Sequence, residues 1–529
     1  MNPPLAVPTE SWRLLGWSLL LLGLCLAVFS RHNEFPYHYH PDEPGKVEQI
    51  IEGKWNFHHP MLLLAATKAV VETADVPRME QPVVIAGRWV SATFMSVAVV
   101  ALSLLAYAWR GWPAAFASGA TLALHHQLYE LAHYLKEDSA LLAGIALSFL
   151  MLLACWWRPS PARVALLGVA CGLALSGKYL GAVTIGLALP VLWRIAPEEA
   201  RRSRVAIYFA ALLLTLLLVN FPILQQLALF QESFGREMDS VVKGQRGLTR
   251  SVPHAQYWNV FIDNTTPAIW ALLAVFLHAR WRERRELALP EWLVIAFPFA
   301  YALALSFSPK SNDRYFLPAT AAFTLFAALA TMDFGQFFRR GRNRRLAIFG
   351  SAAVLVLGQI PSWFRYEVAF QKDDTAELIA WLNELVPADA VIAKDNRVQL
   401  PDPKKKKHAE RLGVVPQKVI AERFAADVSI ELLKERGVRG LGTIEELRSL
   451  GVTHVAVSES DYGRFFLKGL RPQKDGREDF DRRKIFYERL LRDGNPIFER
   501  DRGTVIYLHP GIRVYRLADL PAYPAAGPL

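Results

Sequence analysis

The sequence predicts an α-helical polytopic membrane protein that ends in a smaller α/β domain. Of its 529 residues, 52% are hydrophobic and only 21% are charged, and the mean hydropathy is +0.18. Soluble chains usually carry about 25% charged residues. The charge is also unevenly distributed, because residues 362–529 contain 29 Lys+Arg and 26 Asp+Glu, against 31 and 23 in residues 1–361. We therefore expect a membrane domain over residues 1–361 and a soluble α/β domain over residues 362–529.

Eleven apolar segments are candidates for membrane spans, since a helix needs about 20 mostly apolar residues to cross the hydrocarbon core. They lie near residues 12–30, 83–108, 113–130, 139–157, 162–176, 179–195, 205–223, 266–279, 291–307, 315–333 and 345–361. The first is followed by no small-residue cleavage site, and we interpret it as a retained span rather than a signal peptide.

The distribution of arginine predicts the orientation of these spans. With the N-terminus in the cytoplasm, the short cytoplasmic segments contain sixteen arginines, and the short outward connections contain four basic residues. The positive-inside rule favours this arrangement. It places two long loops, residues 31–82 and 224–265, and the C-terminal domain outside the cytoplasm. We expect a multi-pass protein of a bacterial cytoplasmic (inner) membrane, although an organelle membrane with a lumenal site would obey the same rule.

Local patterns predict further elements outside the spans. Amphipathic stretches at residues 46–52 and 61–71 are typical of helices that lie in the membrane interface. The C-terminal domain is expected to contain helices over 375–385 and 430–436, strands over 391–393 and 454–458, and a hairpin of 504–508 with 513–517. This alternation of helices and strands is typical of a small α/β domain.

Composition excludes several classes of function. The net charge is +11 and the pI about 9.5, but the main basic clusters lie in short loops between spans, so no nucleic-acid partner is expected. The three cysteines all lie inside apolar runs, which excludes a disulfide framework. No glycine-rich phosphate loop or dinucleotide-binding fingerprint is present, so a nucleotide site has no support.

Charged residues at the outward ends of the spans point to function, because ionisable groups at membrane depth are costly. The basic residues there are Lys136, Lys178, Lys310 and Arg314. Lys136 belongs to a polar stretch, residues 133–138, that interrupts two apolar spans and also contains Asp138. A solvated turn with a Lys–Glu pair is the alternative interpretation of this stretch.

The first outward loop contains closely spaced histidine and carboxylate side chains, in residues 38–43 and 57–60. Asp42 follows a proline and could act as a general base toward an incoming hydroxyl group. The loop histidines, together with Asp42 and Asp138, could instead bind a divalent metal ion. As a third possibility, each histidine could be an interfacial hydrogen-bonding group beside aromatic residues.

Five motifs together resemble the GT-C superfamily of polytopic glycosyltransferases. They are His-Pro-Asp-Glu at 40–43, His-His-Pro at 58–60, Lys-Glu-Asp at 136–138, Gly-Lys-Tyr at 177–179 and Asp-Arg-Tyr-Phe-Leu-Pro at 313–318. The chain is most similar to the group of protein O-mannosyltransferases and lipid A aminoarabinose transferases, over roughly residues 10–361. A weaker likeness to the outer domain of bacterial members lies at residues 451–457. The resemblance implies a sugar donor linked to polyprenyl phosphate, a glycan, lipid or protein acceptor, and a lipid bilayer around the enzyme.

The resemblance also implies roles for the matching residues. Catalytic roles fall to Asp42, the expected base, to its neighbour Glu43 and to Asp138. The residues that match positions around the donor phosphate are Lys136, Lys178, Tyr179, Arg314 and Tyr315. His40 and His59 belong to the two loop motifs, although Met61 stands where the family often has a second proline. A divalent metal ion held by Asp42, Asp138 and His59 is a further hypothesis, and no other cofactor is expected.

A one-step transfer is consistent with these residue types. Lysine and arginine stabilise phosphate oxygens, and a base on the opposite face of the anomeric carbon would give an inverted product. The competing class is a lipid or sugar transporter or flippase, which would place its charges near the bilayer midplane and often show repeat symmetry. The charges here lie at outward span ends and no internal repeat is visible, which favours the transferase.

Overall fold

The computed structural model describes residues 8–195, 198–243, 248–250, 256–310, 312–385, 390, 392–395, 397–400, 443–449, 451–467, 470–472 and 477–522. The helix expected over 430–436 lies outside the described residues. The chain divides into two compact units. The first is Met1–Val242 with Val252–Phe364, and the second is Lys243–Ser251 with Arg365–Leu529.

The first unit is helical. Its helices are α1 (Pro8–Phe29), α2 (Glu43–Glu52), α3 (Leu62–Thr73), α4 (Glu80–Arg110), α5 (Trp112–Ala123), α6 (His126–Ala132), α7 (Glu137–Trp157), α8 (Pro161–Gly177), α9 (Val183–Ile195), α10 (Glu198–Val219), α11 (Phe221–Gln225), α12 (Leu227–Lys243), α13 (Gln256–Asn264), α14 (Pro267–Arg282), α15 (Leu289–Ser306), α16 (Leu317–Gly335) and α17 (Gly341–Leu357). Single 3-10 turns, Tyr179–Ala182 and Asp313–Phe316, precede α9 and α16. The boundary between the two units falls within α18 (Ile360–Ala369).

Among the described residues, seven helices are long and apolar enough to cross a membrane. The pair α13 and α14 also qualifies, with a bend of 111° between its halves, and two shorter apolar helices occupy Pro161–Gly177 and Tyr179–Ile195. The predicted class, an α-helical polytopic membrane protein, is therefore confirmed.

The interior of the first unit is formed by α4, α7, α8 and α16, which pack against one another or against shared neighbours. Most of α7 and α16 is buried, whereas α1 and α10 leave most of their apolar side chains exposed. Exposed apolar helices of this kind suit contact with lipid tails.

One expected span is broken. The segment predicted near 113–130 ends its first helix at Ala123 and begins α6 at His126. His125 has an extended backbone, and its Nδ1 accepts a hydrogen bond from the backbone N–H of Gln127 at 3.3 Å. The imidazole thus caps α6, as a polar side chain does when it satisfies a free N–H group at a helix start.

The second unit contains a four-stranded sheet in the order β2-β3-β6-β5, where β2 and β3 are parallel and the other pairs antiparallel. A two-stranded antiparallel ladder joins β1 from the second long loop to β4. The strands are β1 (Leu248–Arg250), β2 (Ile392–Lys394), β3 (His454–Ser458), β4 (Leu470–Pro472), β5 (Phe498–Arg502) and β6 (Pro510–Arg516). The helices are α19 (Asp374–Leu385), α20 (Ile444–Ser449), α21 (Glu459–Tyr462) and α22 (Arg477–Asp493). Buried apolar residues pack on both faces of the sheet, so the α/β prediction is confirmed.

The predicted hairpin has the wrong first strand. Residues 504–508 form the turn, and Phe498–Arg502 pairs with Pro510–Arg516. The apolar residues that suggested a strand, Val505 and Leu508, are buried from within the turn. The backbone N–H of Leu508 bonds back to the carbonyl of Val505 at 3.0 Å, so this segment closes on itself and does not join the sheet.

Candidate functional site

The site begins where the loop that follows α1 enters α2. Asp42 immediately precedes this helix, and Pro44 occupies its first turn, where a proline needs no hydrogen-bonding partner for its nitrogen. The Asp42 side chain is 43% exposed, while that of Glu43 is completely buried. Two adjacent carboxylates of the same motif therefore lie in opposite environments.

Glu43 lies behind the site in a buried bidentate pair with Arg88 of α4. Its Oε1 accepts from Nε at 3.0 Å, and its Oε2 accepts from an arginine NH2 group at 2.5 Å. Oε1 also accepts the backbone N–H of Leu135 at 2.8 Å. Arg88 further donates to the carbonyl oxygens of Asn33 and Phe35. This arrangement gives Glu43 a structural role, tying the loop to α4 and to the α6–α7 junction.

The α6–α7 junction supplies Lys136, Glu137 and Asp138. Lys136 precedes α7 in extended conformation, and its buried ammonium group forms an ion pair with Asp42. Glu137 pairs instead with Lys46 of α2 at 2.6 Å. Lys46 also donates to the carbonyl oxygen of Leu135 at 2.9 Å, which fixes α2 against the same junction.

Lys178 reaches the site from the end of α8. Its Nζ donates to Asp138 Oδ1 at 2.7 Å, and both side chains are buried. The approach depends on glycine: a Cβ added at Gly144 of α7 would lie 2.3 Å from Ala174 Cα, and one at Gly177 would lie 2.8 Å from Leu141 N. The absence of side chains there lets α7 and α8 pack closely enough to join Asp138 to Lys178.

Arg314 lies between the two carboxylates. It belongs to the 3-10 turn before α16, and it comes within 3.7 Å of both Asp42 Oδ2 and Asp138 Oδ2. Three cations, Lys136, Lys178 and Arg314, thus share two carboxylates, which leaves one net positive charge in this group. A partly buried group of this kind attracts an anion such as phosphate.

The remaining predicted residues lie around this centre. Tyr315 places its ring 4.7 Å from Lys178 Nζ, in cation–π contact. The Tyr179 hydroxyl donates to the carbonyl oxygen of Phe57 at 3.1 Å and so anchors the second loop motif. His40 is buried, and its Nδ1 accepts the backbone N–H of Asp42 at 3.2 Å.

His59 faces Glu137 and is separate from Asp42 in its contacts. Its Nε2 lies 4.0 Å from Glu137 Oε2. Burial lowers the pKa of His59 to about 4, so the imidazole is neutral at pH 7. Neutral imidazole can donate or accept a hydrogen bond, but it adds no charge to the site.

The predicted metal ligands do not fit a divalent ion as they are arranged. Asp42 and Asp138 face lysine and arginine side chains, and His59 faces Glu137. In the part of the chain that the structure describes, no three His, Cys, Asp or Glu residues are grouped so that they could hold a metal ion.

Two important residues were missed at the sequence level, Arg88 and Lys46. Arg88 lies inside an apolar span and is completely buried, which is a signal that the sequence does contain. Lys46 was assigned only to an amphipathic stretch. Its partner Glu137 is distant along the chain, so no local pattern could indicate the pair.

Comparisons with known proteins give the fold of the chain. Residues 78–233 match the family model for dolichyl-phosphate-mannose-protein mannosyltransferase. No curated protein matches the sequence. Among solved structures, ArnT from Cupriavidus metallidurans bound to undecaprenyl phosphate matches with a TM-score of 0.50 at 13% identity, covering 99% of this chain and 100% of that one.

The oligosaccharyltransferase of Archaeoglobus fulgidus, solved with Zn and sulfate, gives a TM-score of 0.48 at 11% identity, covering 95% of this chain and 74% of that one. The ArnT match shows the fold that the sequence motifs suggested. The family match over residues 78–233 agrees with the family that the sequence motifs resemble.

Proposed function

We propose that the protein transfers a sugar from a polyprenyl-phosphate carrier to a hydroxyl group of a glycan, lipid or protein acceptor. The observation that carries this proposal is the group of Lys136, Lys178 and Arg314 around Asp42 and Asp138. The name of the ArnT structure, which includes undecaprenyl phosphate, supports the carrier class.

The three cations would hold the carrier phosphate. Arginine can bind two phosphate oxygens at once, whereas each lysine contributes a point charge. In the free protein the carboxylates keep these cations in place, so little reorganisation is needed when the donor arrives. Preorganised charge of this kind stabilises the negative charge that develops on a leaving phosphate.

Asp42 would act as the general base. Its side chain is accessible, whereas those of Glu43 and Asp138 are buried. A donor phosphate would compete for Lys136 and Arg314, which would release Asp42 from its ion pairs and raise its basicity. Donor binding and activation of the base would therefore be coupled.

The transfer would take place in one step. The acceptor oxygen forms a bond to the anomeric carbon, the bond from that carbon to the phosphate oxygen breaks, and the acceptor proton passes to Asp42. The phosphate leaves as an anion on its lipid, held by the three cations. Attack opposite the leaving group inverts the configuration of the sugar.

The proposed setting is a bacterial cytoplasmic membrane with the N-terminus inside. Residues 1–361 would form the catalytic domain and residues 362–529 a soluble domain on the outward side. The excess of arginine on the short cytoplasmic segments supports this orientation. The sheet in the second unit supports a soluble domain, because residues 499–502 of its outer strand are exposed and all charged.

The test is transfer of radiolabelled sugar from a panel of polyprenyl-phosphate sugars in nanodiscs. Wild-type protein should consume at least one carrier, and Asp42→Asn should lose about 10²–10⁴-fold in rate, the usual contribution of a general base. Asp75→Asn is a matched control, because Asp75 lies exposed in the same outward loop. Full activity of Asp42→Asn would show that Asp42 is not the base, and no use of any carrier by the wild type would contradict the transferase proposal.

A further inference from the structure

Tyr301 is a buried polar side chain that the proposed chemistry does not yet use. It lies on α15, one and a half turns before the helix ends at Ser306, and its side chain packs against Phe297 with ring centroids 5.2 Å apart. Only 6% of the residue is exposed, and its hydroxyl has no hydrogen-bond partner among the described residues. Buried hydroxyl groups rarely remain unpaired unless a ligand or water completes them.

The surroundings of Tyr301 point toward the candidate site. Asp138, Tyr257 and Tyr315 all lie within electrostatic range of its phenol group. The helix that carries it, α15, packs against α7, which begins with Glu137 and Asp138. Tyr301 is therefore carried by a helix that packs against the helix bearing Asp138.

Asp138 offers the complementary unpaired atom. Its Oδ1 accepts from Lys178 at 2.7 Å, but its Oδ2 makes no hydrogen bond with the described residues and has only Arg314 Nε at 3.7 Å. The residue is 1% exposed. A buried donor and a buried carboxylate acceptor thus lie near each other, each lacking one hydrogen bond.

The chemistry of this pair selects the group that would fit between them. A phosphate oxygen could accept from the Tyr301 hydroxyl but would be repelled by the Asp138 carboxylate. An ammonium group could donate to Asp138 but could not accept from tyrosine. A hydroxyl group does both, because it accepts through a lone pair and donates through its proton.

We propose that Tyr301 and Asp138 form a subsite for one hydroxyl group of the donor sugar, Tyr301 donating to it and Asp138 Oδ2 accepting from it. This inference rests on the proposed function, since it requires a sugar beside the phosphate-holding cations. Tyr301 is then a binding residue that distinguishes donors carrying this hydroxyl from those that lack it. A site that hydrogen-bonds a substrate hydroxyl rejects the deoxy analogue because its own polar groups are left unpaired.

The test removes the hydroxyl group of Tyr301 in one set of experiments and single hydroxyl groups of the donor sugar in another, and compares the losses of activity. The probes are the carrier-linked sugar that the wild type uses most efficiently in the panel above and its analogues, each lacking one ring hydroxyl. For one analogue, wild-type kcat/KM should fall about tenfold or more relative to the parent sugar, the size expected for one buried hydrogen bond. For Tyr301→Phe, kcat/KM with the parent sugar should be about tenfold lower than for wild type. The ratio of kcat/KM between the parent sugar and that same analogue should be much smaller than it is for wild type.

Tyr208→Phe is the matched control, because Tyr208 is also completely buried in the bundle but lies on α10, with Phe209 as its ring contact. It should prefer the parent sugar over the analogues to the same degree as wild type does. Unchanged melting temperatures would show that both variants fold. If Tyr301→Phe retains wild-type discrimination against every analogue, the subsite is wrong while the transferase proposal stands. If wild-type protein uses no carrier at all, both proposals fail together.

Discussion

At the residue scale, the main feature of the site is that neighbouring residues in the sequence have different roles. Asp42 and Glu43 are adjacent, yet one is accessible and the other has both oxygens committed to Arg88 and Leu135. Lys136 and Glu137 are adjacent as well, and they point to Asp42 and Lys46 respectively. Each motif thus supplies one group that faces the site and one that holds the motif in place.

Replacing Arg88 should show that its ion pair with Glu43 holds the loop that carries Asp42 in place. Arg88→Met leaves the Glu43 carboxylate buried without its partner, which typically destabilises a protein by about 3–5 kcal/mol. We expect a lower melting temperature together with reduced transfer activity, because the loop that carries Asp42 loses its anchor. Arg78→Met is the control, since Arg78 is exposed in the same loop and should change neither quantity. Equal melting temperatures for the two variants would show that the buried pair does not support the loop.

The residues of the site differ in how well a sequence can predict them. Asp42, Lys136, Lys178 and Arg314 stand out because each is a charge near the end of an apolar segment, on the side that the arginine distribution predicts to face outward. Their mutual distances depend on how four separate elements pack, so the sequence could suggest the set but not the pairing. Tyr301 carries no such signal, because tyrosine is common in apolar helices.

At the element scale, the close packing of α7 on α8 controls the pairing of Asp138 with Lys178. Gly144→Ala would place a Cβ 2.3 Å from Ala174 Cα, so the two helices must separate. Overpacking of this kind costs about 1–3 kcal/mol. We expect lower stability and a higher donor KM, measured by thermal unfolding and steady-state transfer.

Gly186→Ala provides the control for this prediction. No atom lies within 4 Å of a Cβ built at Gly186, and alanine is the better helix former. This variant should be as stable as wild type or more so. If Gly144→Ala behaves in the same way, close approach of the helices is not what joins Asp138 to Lys178.

The sequence predicts a membrane helix well where an apolar segment is uninterrupted and the helix runs through its whole length. The segments near 139–157 and 315–333 coincide closely with α7 and α16, which are long, apolar and mostly buried. The segment near 113–130 was also continuous in hydropathy, but a cap made by His125 divides it. Hydropathy does not report such a cap, because the cap depends on one side chain accepting a hydrogen bond from the backbone N–H two residues further on.

At the scale of the whole molecule, the second unit should lose stability as the pH rises. Burial, followed by the nearby Asp461 carboxylate, raises the pKa of Asp395 to about 7, against about 4 in an unfolded chain. The folded unit therefore binds this proton more tightly than the unfolded chain does. The contribution of this carboxyl group to stability should be greatest below about pH 4, fall by at most about 4 kcal/mol as the pH rises to about 7, and then level off.

Hydrogen exchange of β3 and β6 in the intact protein, corrected for intrinsic rates, measures this dependence. Asp395 accepts from the Tyr487 hydroxyl at 2.7 Å and from the Ser458 N–H at 3.0 Å, and Asp461 is its charged neighbour. Asp461→Asn removes the repulsion and should reduce the loss of protection between pH 5 and pH 8. Equal slopes for the variant and the wild type would show that the two carboxylates are not coupled.

The central claim is that Asp42 removes the acceptor proton while the cations hold the donor phosphate. Single-turnover transfer at excess enzyme, with carrier binding measured on the same samples, tests it most directly for Asp42→Asn and Lys136→Met. We predict that Asp42→Asn binds the carrier at least as tightly as wild type does, because the competing carboxylate is gone, but transfers its sugar about 10²–10⁴-fold more slowly. Lys136→Met should bind the carrier at least about tenfold more weakly, since it loses one charge-assisted contact. Transfer by Asp42→Asn at the wild-type rate, or carrier binding by Lys136→Met as tight as that of wild type, would contradict the claim.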